Sequence, residues 1–131
     1  MHIPVTALAA ALCGLLLLFL AMRVSQLRMR HQVALGDGGK PELMRAIRAH
    51  ANTVEQVPVF LLQCACYEIY LGASPALMLL VAAFLLARLL LAWGLSTATL
   101  SLPRRIGAGL TYLTQLLLSL ALLWQVISTL F

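Results

Sequence analysis

The fold is decided first by residues 3–22, which read IPVTALAAALCGLLLLFLAM and contain no charged side chain. Twenty helical residues rise about 30 Å, the thickness of the hydrocarbon core of a bilayer. A cleaved signal peptide is the alternative, but it needs a basic segment before a shorter apolar core. Here Met1 and His2 precede the run, and Arg23, Arg28 and Arg30 follow it. The pattern therefore predicts a retained transmembrane helix.

The composition of the whole chain indicates the same class of protein. Of its 131 residues, 63% are apolar and 10% are charged, whereas a soluble domain is about 45–50% apolar and about 25% charged. So few charges cannot cover a water-facing surface, which excludes a soluble domain, a disordered chain and a disulfide-stapled module. The length fits four spans, predicted at residues 3–22, 43–71, 76–95 and 106–131. We expect one all-α domain, residues 1–131, folded as an integral membrane four-helix bundle.

The cysteines and the net charge of +5 favour neither a metal site nor a nucleic-acid partner. Cys13, Cys64 and Cys66 all lie in apolar stretches, and an odd number of such thiols argues against a disulfide framework. Cys64 and Cys66 point about 200° apart on a helix, so they cannot bind one metal ion together. The arginines lie at the ends of apolar runs, where positive charge reports membrane topology.

Basic residues concentrate in two of the three predicted connections. The first connection and the start of the second helix contain Arg23, Arg28, Arg30, Lys40, Arg45 and Arg48, and the third connection, residues 96–105, contains Arg104 and Arg105. Neither terminus nor the middle turn contains a lysine or arginine. The positive-inside rule therefore predicts that both basic connections are cytoplasmic and that both termini lie on the opposite side.

The second helix carries polar side chains at helical spacing. Arg45, Arg48, Asn52 and Glu55 fall at i, i+3, i+7 and i+10, which places them on an arc of about 80°. Ionisable side chains within a span are costly and usually face a bundle interior or a watery cavity. We therefore predict a polar stripe that runs from the cytoplasmic surface into the membrane and ends in a buried carboxylate.

Two interpretations of this stripe remain open. In the first, the charges are structural, and Glu55 forms an ion pair with Arg88 of the third helix at a similar depth. In the second, the stripe binds a small polar or anionic ligand. Arginines would then bind carboxylates bidentately, while Asn52 and Glu55 would bind amide and amino groups. One stripe can serve both purposes.

Residues 48–58, RAHANTVEQVP, resemble the signature of the membrane-associated proteins in eicosanoid and glutathione metabolism, the MAPEG family. The resemblance extends over nearly the whole chain, including the glycine-rich connection at residues 36–39, Arg88 in the third span and the Arg105-Ile-Gly107 segment of the fourth. It is strongest to the short bacterial members. The resemblance implies a bacterial inner-membrane protein, with both termini periplasmic if the charge distribution is followed.

The resemblance also implies a homotrimer that binds glutathione between neighbouring subunits near the cytoplasmic face. By position, Arg48, Asn52 and Glu55 would hold the glutathione backbone, with His50 contributing. Arg105, in preference to Arg104, would stabilise the thiolate, and Arg28 or Arg30 matches a basic pair after the first helix. The implied function is a glutathione transferase or peroxidase acting on lipophilic electrophiles or hydroperoxides that arrive from the membrane lipids. The alternative is a non-catalytic inner-membrane protein of the same fold.

The chain departs from the family pattern in the third helix. Enzymes of the family have tyrosines or a histidine in its second half that complete the glutathione site, whereas residues 88–95 read RLLLAWGL. Tyr112, one and a half turns into the fourth helix, is a candidate to compensate for this loss. Its alternative role is that of a core or interface aromatic residue.

Overall fold

The structure, a computed structural model, describes residues 2–97 and 101–130. These residues form four helices, α1 (Pro4–His31), α2 (Pro41–Leu71), α3 (Pro75–Thr97) and α4 (Leu102–Leu130), and no strand occurs among them. Helices α1, α3 and α4 are each long and apolar enough to cross a membrane. Helix α2 has 31 residues, but its first half carries the polar stripe. The predicted class, an all-α integral membrane bundle of four helices, is confirmed.

Helix α1 is longer than predicted. It continues nine residues beyond Met22, so the prediction that a polar connection starts at Arg23 is wrong. Residues 23–31 contain neither Gly nor Pro and consist mainly of good helix formers, so the polar composition marks the membrane surface rather than the end of the helix. The helix ends at His31, and the next residue, Gln32, has a left-handed backbone with φ of 56°, a conformation that commonly terminates helices.

Helix α4 also begins earlier than the predicted span at residue 106. It starts at Leu102, because Pro103 suits the first turn, where its missing N–H has no intrahelical partner. Arg104 and Arg105 therefore lie in the first turn of α4 rather than in a connection. The middle of the predicted connection, residues 98–100, and the end of the predicted fourth span, Phe131, lie outside the described residues.

The main core joins all four helices. It includes Ala9 and Cys13 of α1, Phe60 and Cys64 of α2, Phe84 of α3 and Leu118 of α4, each almost fully buried. The rings of Phe60 and Phe84 stack with their centroids 3.7 Å apart. Cys13 and Cys64 are free thiols packed among these apolar side chains, which is the small-filler role expected of cysteine in a core.

Glu68 near the end of α2 caps the start of α1. The first turn of α1 has no side-chain cap of its own, and the N–H groups of a first turn lack intrahelical acceptors. The backbone N–H groups of Val5 and Thr6 donate to the two Glu68 carboxylate oxygens at 2.9 and 2.8 Å, and Glu68 is only 2% exposed. The carboxylate also complements the positive end of the helix dipole.

Glycines let α3 and α4 pack backbone to backbone. A Cβ added to Gly107 of α4 would lie 2.6 Å from the backbone nitrogen of Leu91 and 2.7 Å from the carbonyl oxygen of Ala87. A Cβ on Gly94 of α3 would lie 2.5 Å from the backbone nitrogen of Arg104. Small residues commonly allow such close approach between membrane helices.

Polar side chains also join α2 to α4, further along α4 than Gly107. Gln63 Nε2 donates to Ser119 Oγ at 2.7 Å, and Gln115 Nε2 donates to the Gln56 carbonyl at 3.2 Å. The Gln56 carbonyl lies two residues before Pro58, the proline inside α2. Such interhelical hydrogen bonds help to associate helices in a membrane.

We predict that Glu68→Gln weakens the bundle, because an amide replaces the charged acceptor of two buried backbone donors. The expected loss in free energy of unfolding is about 1–3 kcal/mol, measured as a lower Tm of the detergent-solubilised protein. Glu42→Gln is the matched control, since Glu42 is half exposed and its carboxylate lies 3.5 Å from His31 Nε2. Equal Tm values for the two variants would contradict the capping role.

We predict that Gly107→Ala separates α3 from α4 and costs about 1–3 kcal/mol of stability, the usual penalty of overpacking. Gly109→Ala makes the same chemical change two residues away, where no atom lies within 4 Å of the added Cβ. The control should be neutral or slightly stabilising because Ala favours a helix. Thermal unfolding of both variants in the same detergent measures the difference, and indistinguishable curves would show that the contact is not tight.

Candidate functional site

A polar cavity of about 110 Å³ opens between α2, α3 and α4. Its lining consists of Arg48 and Asn52 from α2, Arg88, Leu91 and Leu95 from α3, and Arg104, Ala108, Thr111 and Tyr112 from α4. Three arginines thus line one site, and no carboxylate residue occurs among the described residues that line it. Guanidinium groups bind carboxylates and other oxyanions with strong, directional hydrogen bonds. The cavity is therefore suited to an anion.

Arg88 is the central group of the cavity. It is fully buried, and its Nη2 donates to Asn52 Oδ1 at 2.6 Å. Its Nε and Nη1 are also buried, but neither finds an acceptor in the part of the chain that the structure describes. A guanidinium carries five N–H donors, and leaving a buried charge incompletely paired is strongly unfavourable. Arg88 therefore has two donor nitrogens without an acceptor, in a side chain that borders the cavity.

Arg104 reaches the cavity through the close packing of α3 and α4. Its backbone nitrogen lies against Gly94, and Ser101 Oγ donates to the Gly94 carbonyl at 3.0 Å. These contacts fix the start of α4 beside the end of α3, so that the first turn of α4 borders the cavity. On the same helix, Thr111 is buried and its Oγ1 donates to the Gly107 carbonyl at 2.7 Å.

The structure brings together only some of the predicted site residues. Arg48, Asn52 and Tyr112 line the cavity as one group with Arg88. Arg105, predicted to approach the thiol in preference to Arg104, is exposed and lies outside the lining, whereas Arg104 borders it. One residue along a helix is a rotation of about 100°, so the two side chains leave α4 in different directions.

The predicted ion pair between Glu55 and Arg88 is not formed within the chain. Arg88 binds Asn52 instead, since Asn52 is the member of the stripe that faces α3. Glu55 is exposed on the surface of the single chain, so the prediction of a buried carboxylate at the end of the stripe is also wrong for the isolated chain.

The remaining predicted residues lie away from the cavity. Arg28 Nη1 donates to the carbonyls of Val33, Ala34 and Gly36 at 3.5, 3.2 and 2.9 Å, which ties the α1–α2 connection to α1. Arg30 is exposed and lines a separate groove beside α1, and His50 is half buried outside the cavity lining.

Comparison with known proteins agrees with the signature on α2 and the helical fold. The model of the MAPEG family matches residues 6–124. The chain belongs to the MAPEG family. It is 38% identical over 120 residues to inner membrane protein YecN of Escherichia coli, covering 92% of this chain and 91% of that protein. It is 33% identical over 124 residues to uncharacterized protein sll1147 of Synechocystis sp., covering 91% and 88%. With its three apolar helices, this MAPEG chain is an integral membrane protein.

Two features of this MAPEG site were not predicted from the sequence. Leu91 and Leu95 form the α3 wall of the cavity, in the stretch that lacks Tyr and His. Thr111 is also part of the lining. Its position four residues after Gly107, on the same face of α4, is only a weak indication of this in the sequence. Apart from Arg88, the α3 side of the cavity is therefore apolar, and the other polar groups come from α2 and α4.

We predict that Asn52→Leu destabilises the protein by about 1–3 kcal/mol, because it removes the acceptor of a buried charged donor. Replacing Arg88 as well, in Asn52→Leu/Arg88→Met, should recover much of the loss, since a buried polar pair replaced by apolar side chains is often tolerated. Thermal unfolding of the two variants and the wild type tests this coupling. A double variant less stable than Asn52→Leu would contradict it.

Proposed function

We propose that the protein is a glutathione-dependent membrane enzyme that transfers or reduces with the glutathione thiolate. The observation that supports this proposal best is the fully buried Arg88, which borders a cavity with Arg48 and Arg104 and whose Nε and Nη1 have no acceptor among the described residues. Glutathione carries two carboxylates, an ammonium group and a thiol. A carboxylate at this position would supply the missing acceptors of Arg88.

The size of the cavity indicates that it would hold only one end of the tripeptide. Its volume is about 110 Å³, whereas pockets that enclose a small molecule measure roughly 300–1,000 Å³. The rest of glutathione would then lie against the outer surface of α2, where Arg48 and Glu55 are exposed. Glu55 is suited to the ammonium group because it is an exposed carboxylate one turn from Asn52.

We propose that a neighbouring subunit of a homotrimer covers this surface. Charged side chains facing lipid are costly, and Arg48, Glu55 and Arg105 are all exposed on the single chain. A second copy would remove them from lipid and complete the site. Arg105 would then act on glutathione bound by the adjacent chain, which reconciles its predicted role at the thiol with its position outside the cavity of its own chain.

The proposed reaction requires that the site lower the pKa of the glutathione thiol. A free thiol has a pKa of about 8.5, so a few per cent is thiolate at pH 7. A nearby guanidinium favours the anion, and lowering the pKa by two units takes about 2.7 kcal/mol. The thiolate sulfur then forms a bond to the electrophilic carbon of a lipophilic substrate and displaces its leaving group as an anion. With a hydroperoxide, the sulfur instead takes the terminal oxygen as a sulfenic acid and the O–O bond breaks to expel the alkoxide, which takes up a proton. A second glutathione then converts the sulfenic acid to the disulfide and water.

In the orientation that we propose, the two substrates would reach the site from different sides, one from water and one from lipid. Both basic segments would be cytoplasmic and both termini periplasmic, as the positive-inside rule indicates. The cavity opens beside Arg48 and Arg104, both at the basic ends of their helices. Glutathione would enter from the cytosol, and the electrophile would enter from the bilayer.

The second candidate function is a non-catalytic membrane protein in which the same polar groups assemble the subunits. It is favoured by the apolar wall of Leu91 and Leu95, which replaces the tyrosines or histidine of the enzymes. Purified protein separates the two candidates. We expect glutathione to raise the Tm and to support turnover of a chromogenic electrophile, and neither effect would occur in the non-catalytic protein.

We predict that Arg48→Ala lowers the affinity for glutathione at least tenfold, since a charged hydrogen bond contributes about 1.5–3 kcal/mol. Lys40→Gln removes one positive charge from the exposed connection and serves as the control. The glutathione dependence of the Tm measures both variants. Equal affinities would show that the polar cavity does not bind glutathione.

A mixing experiment tests whether two chains share the site. Arg48→Ala and Arg105→Ala should each be nearly inactive alone, but trimers assembled from equal amounts should regain about one quarter of wild-type turnover. Each site would use Arg48 of one chain and Arg105 of its neighbour. In an equal mixture, half of the chains have an intact Arg48 and the other half have an intact Arg105, so one quarter of the interfaces combine the two. Full turnover of Arg105→Ala alone would contradict its role at the thiolate and leave Arg104 as the candidate.

A further inference from the structure

Two neighbouring grooves lie on the outside of α1. One has a volume of about 370 Å³ and lies between α1 and α3, lined by Leu12, Leu15, Leu16, Phe19, Leu85 and Leu89. The other has a volume of about 300 Å³ and lies further along α1 towards α2. Phe19 lines both grooves, so they adjoin at this side chain and lie along one side of α1. We call the pair the α1 groove; it shares no lining residue with the polar cavity.

The α1 groove changes from apolar to charged along its length. Beyond Phe19 and Met22, its lining contains Arg23, Gln26 and Arg30 of α1, and Glu42 of α2. The three α1 residues fall at i, i+3 and i+7, which places them on one face of the helix. These residues share a helix face because α1 continues to His31; in a helix that ended at Met22 they would belong to the connection.

We propose that the α1 groove binds one phosphatidylglycerol molecule. Its phosphate would lie between Arg23 and Arg30, and one acyl chain would follow the helix past Phe19 to Leu12. The charges match this lipid, because two arginines and Glu42 leave one net positive charge for one phosphodiester. The uncharged glycerol of the headgroup offers hydroxyl groups to Gln26 and Glu42.

The length of the groove fits a chain from a single leaflet. Arg23 and Leu12 are eleven residues apart, which is about 16 Å along a helix, and one leaflet contributes about half of a 30 Å hydrocarbon core. Phe19, Leu15 and Leu12 are exposed on the isolated chain. An acyl chain in the groove would cover them, while the arginines hold the headgroup at the membrane surface, where each basic residue attracts anionic lipid.

The test measures which phospholipids remain bound to the protein after purification in mild detergent. Wild-type protein should retain phosphatidylglycerol over phosphatidylethanolamine, and Arg30→Gln should lower that retention about fivefold, the effect of one basic residue near a membrane surface. Lys40→Gln, which removes the same charge outside the groove, should retain lipid as the wild type does. Phe19→Ala should lower retention of both lipids without changing the preference between them.

Delipidated protein gives an independent readout. Added phosphatidylglycerol should raise the Tm of the wild type and of Lys40→Gln but not of Arg23→Gln/Arg30→Gln, whereas inorganic phosphate should leave all three unchanged. Stabilisation by inorganic phosphate would show a free-anion site instead of a lipid site. Equal retention of the two lipids by the wild type, or equal loss in Arg30→Gln and Lys40→Gln, would overturn the proposal. So would the absence of any retained lipid, the result expected if a second copy covers the groove.

Discussion

The hydrogen bond between Arg88 and Asn52 places a fully buried positive charge where α2, α3 and α4 meet. A charge in that position must be satisfied by polar groups that the helices bring to it. The close contacts at Gly94 and Gly107 hold α3 against α4, so Arg104 and Thr111 border the same cavity. The remaining donors of Arg88 then determine what the cavity can accept, which is a group rich in acceptor oxygens.

Much of the fold could be predicted because each element has a strong local signal. Long apolar runs fixed the number and order of the helices, and the glycine-rich segment at residues 36–39 marked the first connection. The end of α1 and the start of α4 lie beyond the predicted spans, because a change from apolar to polar residues reports the membrane surface and not the end of a helix. Backbone conformation at Gln32 and Pro103 determines those ends instead.

The candidate site could be predicted only within a single helix. Spacing placed Arg48 and Asn52 together because both lie on α2, and the structure puts both in the cavity. The partner of Arg88 and the choice between Arg104 and Arg105 depend on the rotation of one helix against another. That rotation is set by contacts such as the one at Gly107, which helical spacing alone does not encode. The capping of α1 by Glu68 was missed for the same reason.

The cap on α1 imposes an order on assembly. Its acceptor, Glu68, lies more than sixty residues after the amides it satisfies, so α1 enters the membrane with those amides unpaired. Water or lipid headgroups must solvate the start of α1 until the far end of α2 has been synthesised and inserted. The cap therefore forms only after both helices are in the bilayer, and a ribosome-bound chain that stops before residue 68 lacks it.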